Sequence, residues 1–324
     1  AICMTGIERV KRAISFQQPD RLPMIFFNRD LDRSDMVMID VQQHFGGKDG
    51  KLSEWGFHWS SVDQTMGQPM ETLLKNWEDL DGFSPPQVKE KERIGWLEKQ
   101  KALCSPGQYL LGSLQLSGFT VMTFLRGFAN VMEDFYLEEE RLNALADLVF
   151  GFEQELIRLS AKAGLHGVAF FDDWGTQESL MISPALWEAF FMPRYQAQFS
   201  LAHSLGLDVY FHSCGQISDL IGRLFDAGVD MLNLSQPNLY SMPELGRTYG
   251  GKGCFVIPVS YQSTLLTGTR EEIFRDVQAA YDALGSQKGG LIGYLEDYSS
   301  LGMSEENYRA CIEAFACVNN IKNL

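Results

Sequence analysis

His212 and Cys214 stand two residues apart in Tyr210-Phe211-His212-Ser213-Cys214-Gly215, at the end of an apolar run. Asp208 to Phe211 reads as a buried strand, and Gly215 breaks it before a helical segment beginning near Ile217. Alternate residues of a strand face the same side, so the imidazole and the thiol converge on one point. A borderline-soft nitrogen beside a soft sulfur suits zinc, and the open ends of barrel strands are where such sites are built. A core histidine next to an inert buried cysteine gives the same pattern. What argues for chemistry is the rest of the chain, which places polar groups at equivalent strand ends.

Those strand ends come from a regular alternation. From about residue 160, short apolar runs alternate with amphipathic helices. Gly167 to Phe171 is a strand ending in Asp172-Asp173-Trp174-Gly175, and a helix follows from Pro184 with Ser183 as its cap. Then come the strand at 208–212, a helix at about 216–226 and the strand Asp230 to Leu234, which ends at Ser235-Gln236-Pro237. A short helix near 242–249 leads to the strand Cys254 to Val259. Thr269-Arg270-Glu271-Glu272 is a capping box opening a helix to about Leu284. Gly289-Gly290 introduces the strand Leu291 to Leu295, and a last helix opens at Ser304. Five strand-then-helix units in succession demand a parallel sheet with right-handed crossovers.

The N-terminal half is less regular. Thr5-Gly6-Ile7-Glu8 is a capping box for a first helix, and Arg21 to Phe27 and Tyr109 to Leu114 read as strands. Between those strands lies a long excursion containing a hairpin around Glu54 to Trp59 and a turn at Ser84-Pro85-Pro86. A structureless insertion of that length is improbable in a compact domain, so residues from about 30 to 105 are expected to form a cap over one end. Seven strands are visible, and an eighth is sought inside the excursion. No linker or repeat marks a second domain. The expected architecture is one α/β chain, a (β/α)8 TIM barrel, spanning residues 1–324.

Functional groups of such barrels gather at the C-terminal strand ends. These ends supply Asn28 and Asp30, Asp172 and Asp173, His212 and Cys214, Gln236, Tyr261 and Gln262, and Glu296 and Asp297. Bland readings accompany each: Asp172-Asp173 as a helix cap, Glu296-Asp297 as a solvated turn, Gln236-Pro237 as turn chemistry. Cys254 sits at the start of its strand, on the face that carries stability, and is read as structural. Aromatic residues near the ends, Trp174 among them, suit an aromatic ligand, although most such rings are ordinary core.

Composition narrows the partners. The 324 residues are 45% hydrophobic and 21% charged, enough to bury a large core. With 27 basic and 42 acidic residues the net charge is −15, which argues against nucleic acid or an anionic membrane as partner. Six scattered cysteines without a C-x-x-C fit reduced thiols, and no apolar run reaches the ~18 residues that span a bilayer. A soluble cytoplasmic protein is expected. Neither G-x-G-x-x-G after a strand, nor a P-loop, nor G-x-S-x-G, nor H-E-x-x-H is present.

Ile7-Glu8-Arg9-Val10, Gln18-Pro19-Asp20-Arg21-Leu22-Pro23, Phe170 to Gly175, Ser183-Pro184, Pro193-Arg194-Tyr195, His212-Ser213-Cys214-Gly215, Gly228-Val229-Asp230 with Asn233, and Gly268 to Ile273 together resemble the uroporphyrinogen decarboxylase superfamily. The resemblance runs over nearly the whole chain. It implies a TIM barrel of one of two kinds: a decarboxylase working without cofactor or metal, or a methyltransferase exchanging methyl groups with a corrinoid protein, typically with zinc.

Two departures separate them. The decarboxylases carry an Arg-Gln-Ala-Gly-Arg run after the first strand, where this chain has Phe26-Phe27-Asn28-Arg29-Asp30, with one arginine. The thiol-activating methyltransferases carry a later cysteine near the last strand, where this chain has Glu296-Asp297. The resemblance therefore implies zinc held by His212, Cys214 and either Glu296 or Asp297, with Asp172 or Asp173 positioning substrate or moving a proton. Asn28, Trp174, Gln236 and Tyr261 are the expected substrate contacts. The expected activity is methyl transfer between a methoxylated aromatic, methylamine or thiol and a separate cobalamin-carrying corrinoid protein, by an enzyme for which a homo-oligomer stays open. A cofactor-free decarboxylase and a non-catalytic binding barrel are the alternatives.

Overall fold

In the computed structural model, residues 3–43, 51–60, 67–322 and 324 are described. Eight parallel strands follow one another around a nearly closed barrel: β1 (Met24–Phe26), β2 (Met36–Asp40), β3 (Tyr109–Ser113), β4 (Gly167–Phe171), β5 (Asp208–Ser213), β6 (Met231–Leu234), β7 (Cys254–Pro258) and β8 (Leu291–Leu295). The ladder runs from β2 through β3 to β8 and back to β1. The strand sought in the excursion is β2, whose Met36 pairs with Tyr109 and whose Asp40 pairs with Ser113.

Between β1 and β2 the regular ladder is interrupted, because only nine residues join them and a full parallel crossover needs more. Side chains stitch this seam instead. The Phe26 amide donates to Ser34 Oγ at 2.9 Å, the Met24 amide to Asp35 Oδ2 at 2.7 Å, and the Asp35 amide to the Met24 carbonyl at 2.9 Å.

The expected caps form. Thr5 accepts from the Glu8 amide at the start of helix Gly6–Ser15, Ser183 from Leu186, Thr269 from Glu272 and Ser304 from Asn307. Residues 117–163 form three helices: Gly118–Arg126, Phe128–Leu137 and Glu139–Lys162. Gly127, at φ +91°, separates the first two. Within the excursion, helix Glu90–Lys101 packs behind β2, so barrel elements occupy part of the interval from about 30 to 105. Leu74 and Trp77 rest on the helices that follow β3, through the Leu125 carbonyl and Asp134. Among the described residues no helix is long and apolar enough to cross a membrane.

Strand alternation divides the core in two. Ile25, Met36, Tyr109, Leu111, Ala169, Tyr210, Met231, Cys254, Val256 and Ile292 fill the barrel interior. The other parity of each strand packs against the helices in a larger apolar layer. Cys254 is buried in the lowest interior layer, as its place at the start of β7 led one to expect.

Candidate functional site

Register places the site. Across neighbouring strands Phe171 pairs with His212, and His212 with Asn233. All three belong to the inward-facing parity, one step above the Ala169, Tyr210 and Met231 layer. The next inward step brings Asp173 after β4 and Cys214 after β5. The metal-binding atoms of Asp173, His212 and Cys214 lie within 4.8 Å of one another. His212 Nε2 is 3.4 Å from Cys214 Sγ and 3.6 Å from Asp173 Oδ1.

Each of the three is itself held. His212 Nδ1 lies 2.6 Å from Asn233 Oδ1, and Asn233 Nδ2 donates to the Val256 carbonyl at 2.9 Å. That fixes the amide orientation, so Nδ1 carries a proton and Nε2 faces the cluster, where the neutral ring would offer its lone pair to a metal. Asp173 accepts from the Cys214 amide at 2.8 Å, and the Ser235 hydroxyl reaches Cys214 Sγ at 3.5 Å. Gly215 (φ +77°) lets this turn lie against Gly175, whose carbonyl carbon and oxygen a Cβ would strike.

The cluster opens on a cavity of about 670 Å³ lined by Phe27, Phe171, Tyr210, Tyr261, Tyr294 and Tyr298, with Ser235, Met38, Pro258 and Glu296 between the rings. Tyr261 and Tyr298 stack at 5.4 Å. The Tyr294 hydroxyl donates to Glu296 Oε1 at 2.6 Å. Tyr210 is fully buried, and its hydroxyl has no hydrogen-bond partner among the described residues. Among the described residues no lysine or arginine lines the cavity.

The electrostatics follow from that lining. Burial disfavours the His212 imidazolium, yet the Cys214 sulfur, the Asp173 carboxylate and the Asn233 hydrogen bond outweigh burial, so its pKa is pushed up to about 9. Burial raises Glu296 above the usual carboxylate range, with the Tyr294 and Tyr298 hydroxyls partly offsetting it.

Parity separates the remaining sequence candidates. Asp172 has the opposite parity to Asp173 and turns away from the cavity, fully buried. It accepts from the Phe119 amide at 3.0 Å, the Thr120 amide at 2.9 Å and hydroxyl at 2.8 Å, and the Tyr195 hydroxyl. It thus caps helix Gly118–Arg126, an earlier helix than the one the Asp172-Asp173 cap reading assumed. Trp174 is also fully buried behind the barrel, stacked on Phe119 at 4.3 Å and donating to Tyr195. Gln236 accepts the Gly215 amide at 2.5 Å and so braces the turn after Cys214. Asn28 exchanges two hydrogen bonds with the Asp297 backbone, tying the ends of β1 and β8 together. Asp297 faces Arg29 at 3.5 Å and accepts the Ser299 amide at 2.8 Å. Of the substrate contacts expected, Tyr261 lines the cavity; of the two acids after β8, Glu296 does. The carboxylate beside His212 and Cys214 is Asp173, while Glu296 stands outside that cluster.

Asn233, Tyr210, Tyr294 and Tyr298 were not among the expected site residues. For the first three, strand parity was the available signal: each shares a face with His212 or Glu296.

The donors suit zinc, which takes imidazole nitrogen, thiolate and carboxylate oxygen, and whose histidine ligands characteristically donate their other ring N–H to an oxygen acceptor, as His212 does. Three protein donors at the edge of an open cavity leave a further position for a substrate atom.

The family model for uroporphyrinogen decarboxylase (URO-D) matches residues 64–316, so the chain belongs to that family. No curated protein sequence matches it. Among solved structures, a methyltransferase from Methanosarcina mazei superposes with a TM-score of 0.75, covering 97% of this chain and 99% of its own at 16% identity. D-psicose 3-epimerase from Clostridium cellulolyticum H10 gives a TM-score of 0.45 at 10% identity, covering 98% of this chain and 94% of its own. A 3-keto-D-glucoside 4-epimerase from E. coli gives 0.44 at 14% identity, covering 77% of this chain and 95% of its own. For the methyltransferase, at 16% identity, the likeness is one of fold.

Proposed function

We propose that this member of the family is a methyltransferase, moving a methyl group between a small substrate in the barrel mouth and a corrinoid carried by a separate protein. The observation that carries this reading is the convergence of Asp173, His212 and Cys214 at an aromatic cavity that no lysine or arginine lines among the described residues. Zinc would be held by those three side chains, with Asn233 keeping His212 in the ligating tautomer. When bound, the metal supplies Lewis acidity, lowering the pKa of a thiol or drawing charge from the atom that carries the methyl group. The chain's own part is to orient and to exclude water: the rings wall the cavity, and Glu296, held by Tyr294, presents a carboxylate to the ligand. Of the expected cap, about 30–105, we propose that the described residues around Leu74 and Trp77 cover the mouth, supported by their seat on the helices after β3.

Decarboxylation of uroporphyrinogen fits the same residues poorly. Its eight carboxylates need cations, and the arginine that follows β1 is already engaged: Arg29 pairs with Glu305 at 2.7 Å and with Asp297 at 3.5 Å. Each uncompensated carboxylate brought against Glu296 or Asp173 would cost several kcal/mol.

The test supplies a reduced corrinoid protein with methoxyarenes, methylamines and thiols, and follows the cobalt spectrum. Methylation or demethylation of cobalt with at least one member of the panel is expected. Coproporphyrinogen formed from uroporphyrinogen at an enzymatic rate, with the cobalt spectrum silent throughout, would overturn the proposal.

A further inference from the structure

Among the described residues Glu296 forms no ion pair, and its hydrogen-bond donors are the hydroxyls of Tyr294, on β8, and Tyr298, in the loop that follows. A divalent metal on Asp173, His212 and Cys214 would be neutralised by the first carboxylate and the thiolate. Glu296 lies outside that cluster but on the same cavity, and a carboxylate held there without a paired cation costs free energy unless a ligand brings the missing charge.

The walls answer to the same charge. Phe27, Phe171, Tyr210, Tyr261, Tyr294 and Tyr298 surround the cavity, and an aromatic face carries partial negative charge that attracts a weakly hydrated cation. A second and independent feature lies deeper. Tyr210 is part of the lining, and its buried hydroxyl has no partner among the described residues, in a layer otherwise filled by Ala169, Met231 and Val256. A buried donor without an acceptor is expected to find one in the ligand.

We propose that the cavity binds a methylated ammonium cation bearing a hydrogen-bond acceptor, with Glu296 and the aromatic walls taking the charged end and Tyr210 the acceptor. This rests on the methyl-transfer reading of the same site and narrows its substrate class. A neutral methoxyarene would fill the volume but leave Glu296 unpaired.

The experiment is calorimetric and needs no turnover. Full-length protein, with zinc and after chelation, is titrated with choline, with tetramethylammonium, and with 3,3-dimethylbutan-1-ol, which has the shape of choline without its charge. Choline should bind about tenfold or more tightly than the neutral isostere. Glu296→Gln should remove that preference. Tyr298→Leu should weaken both cations while Tyr298→Phe, which keeps the ring, should not. Tyr210→Phe should weaken choline and leave tetramethylammonium unchanged.

Equal binding of the isostere, no binding of either cation, or selectivity unaltered by Glu296→Gln would overturn the inference. Methyl transfer from a neutral donor with the cations unbound would sink the inference and spare the methyltransferase. Cation binding with a silent cobalt spectrum would do the reverse.

Discussion

The two ends of the barrel treat charge in opposite ways. At the N-terminal end, carboxylates meet cations. Arg9 bridges Asp20 and Asp35, each at 2.6 Å; Arg21 adds a second contact to Asp35 at 2.7 Å; Lys11 reaches Asp208 at 2.8 Å. Arg9 and Asp35 are each about 5% exposed, and the Asp35 carboxylate also takes the Met24 amide that closes the β1–β2 seam. At the C-terminal mouth, Asp173 and Glu296 face rings, hydroxyls, an imidazole and a thiol, and among the described residues no lysine or arginine joins the lining. The satisfied end does structural work and the unsatisfied end is left for a ligand. A charge network is therefore informative about function mainly where it fails to close.

Substitutions at the two ends should separate these roles. The largest effect is expected at the mouth, on metal. Protein purified without chelator should carry about one zinc per chain by elemental analysis. Both Cys214→Ala and His212→Ala should lose it while the denaturation midpoint of metal-free protein stays in place. Zinc retained by both variants would move the site elsewhere. The bottom should invert this pattern. Asp35→Ala takes from Arg21 its carboxylate partner and from Arg9 one of two, in a buried seam, and should destabilise the fold by about 3–5 kcal/mol in urea denaturation. Zinc per folded chain should not change. If Asp35→Ala instead lost metal with stability intact, the division between the two ends would be wrong.

Much of this division was legible in the sequence, and the part that was not has one physical cause. The strand-then-helix units, the caps at Thr5, Ser183, Thr269 and Ser304, and the convergence of His212 with Cys214 all follow from local periodicity and capping. The β2 strand hid because Met36 to Asp40 follows β1 after only a short turn, where a helix was expected, and carries an acid at its end. The site residues divided by parity. Reading strand ends as clusters put Asp172 with Asp173 and Glu296 with Asp297. Period-two alternation, applied to His212 and Cys214 alone, sends Asp173 and Glu296 inward and Asp172, Trp174 and Gln236 toward the helices. Asn233 was quoted only as part of a family match, although its place on β6 beside His212 makes it that residue's orienting partner. The seat of Asp172 under Phe119 and Thr120 depends on a helix more than fifty residues away, and no local pattern encodes it.

Between the two ends lies a third arrangement, buried acid without a cation and without a cavity, and it should show the smallest effect. Glu153, on helix Glu139–Lys162, is 1% exposed. It accepts the Gly118 amide at 2.7 Å and Gln198 Nε2 at 2.9 Å, near the capping carboxylate of Asp172. Burial pushes its pKa up to about 8, with the two hydrogen bonds partly offsetting it and Asp172 adding to the rise. The folded protein therefore holds this proton to higher pH than the unfolded chain does. Its contribution to stability is present in full below about pH 4.5 and is lost as pH rises toward 8. Wild-type protein should accordingly show a lower urea midpoint at about pH 8 than at about pH 5. Glu153→Gln should narrow that gap, because the amide cannot ionise and can still accept from Gly118. Its new N–H finds an acceptor if Gln198 turns its amide over, since Gln198 Oε1 has no partner among the described residues. A gap of undiminished size in Glu153→Gln would assign the pH dependence to Asp172 or to the mouth, and so redraw which of the buried acids is held by a proton.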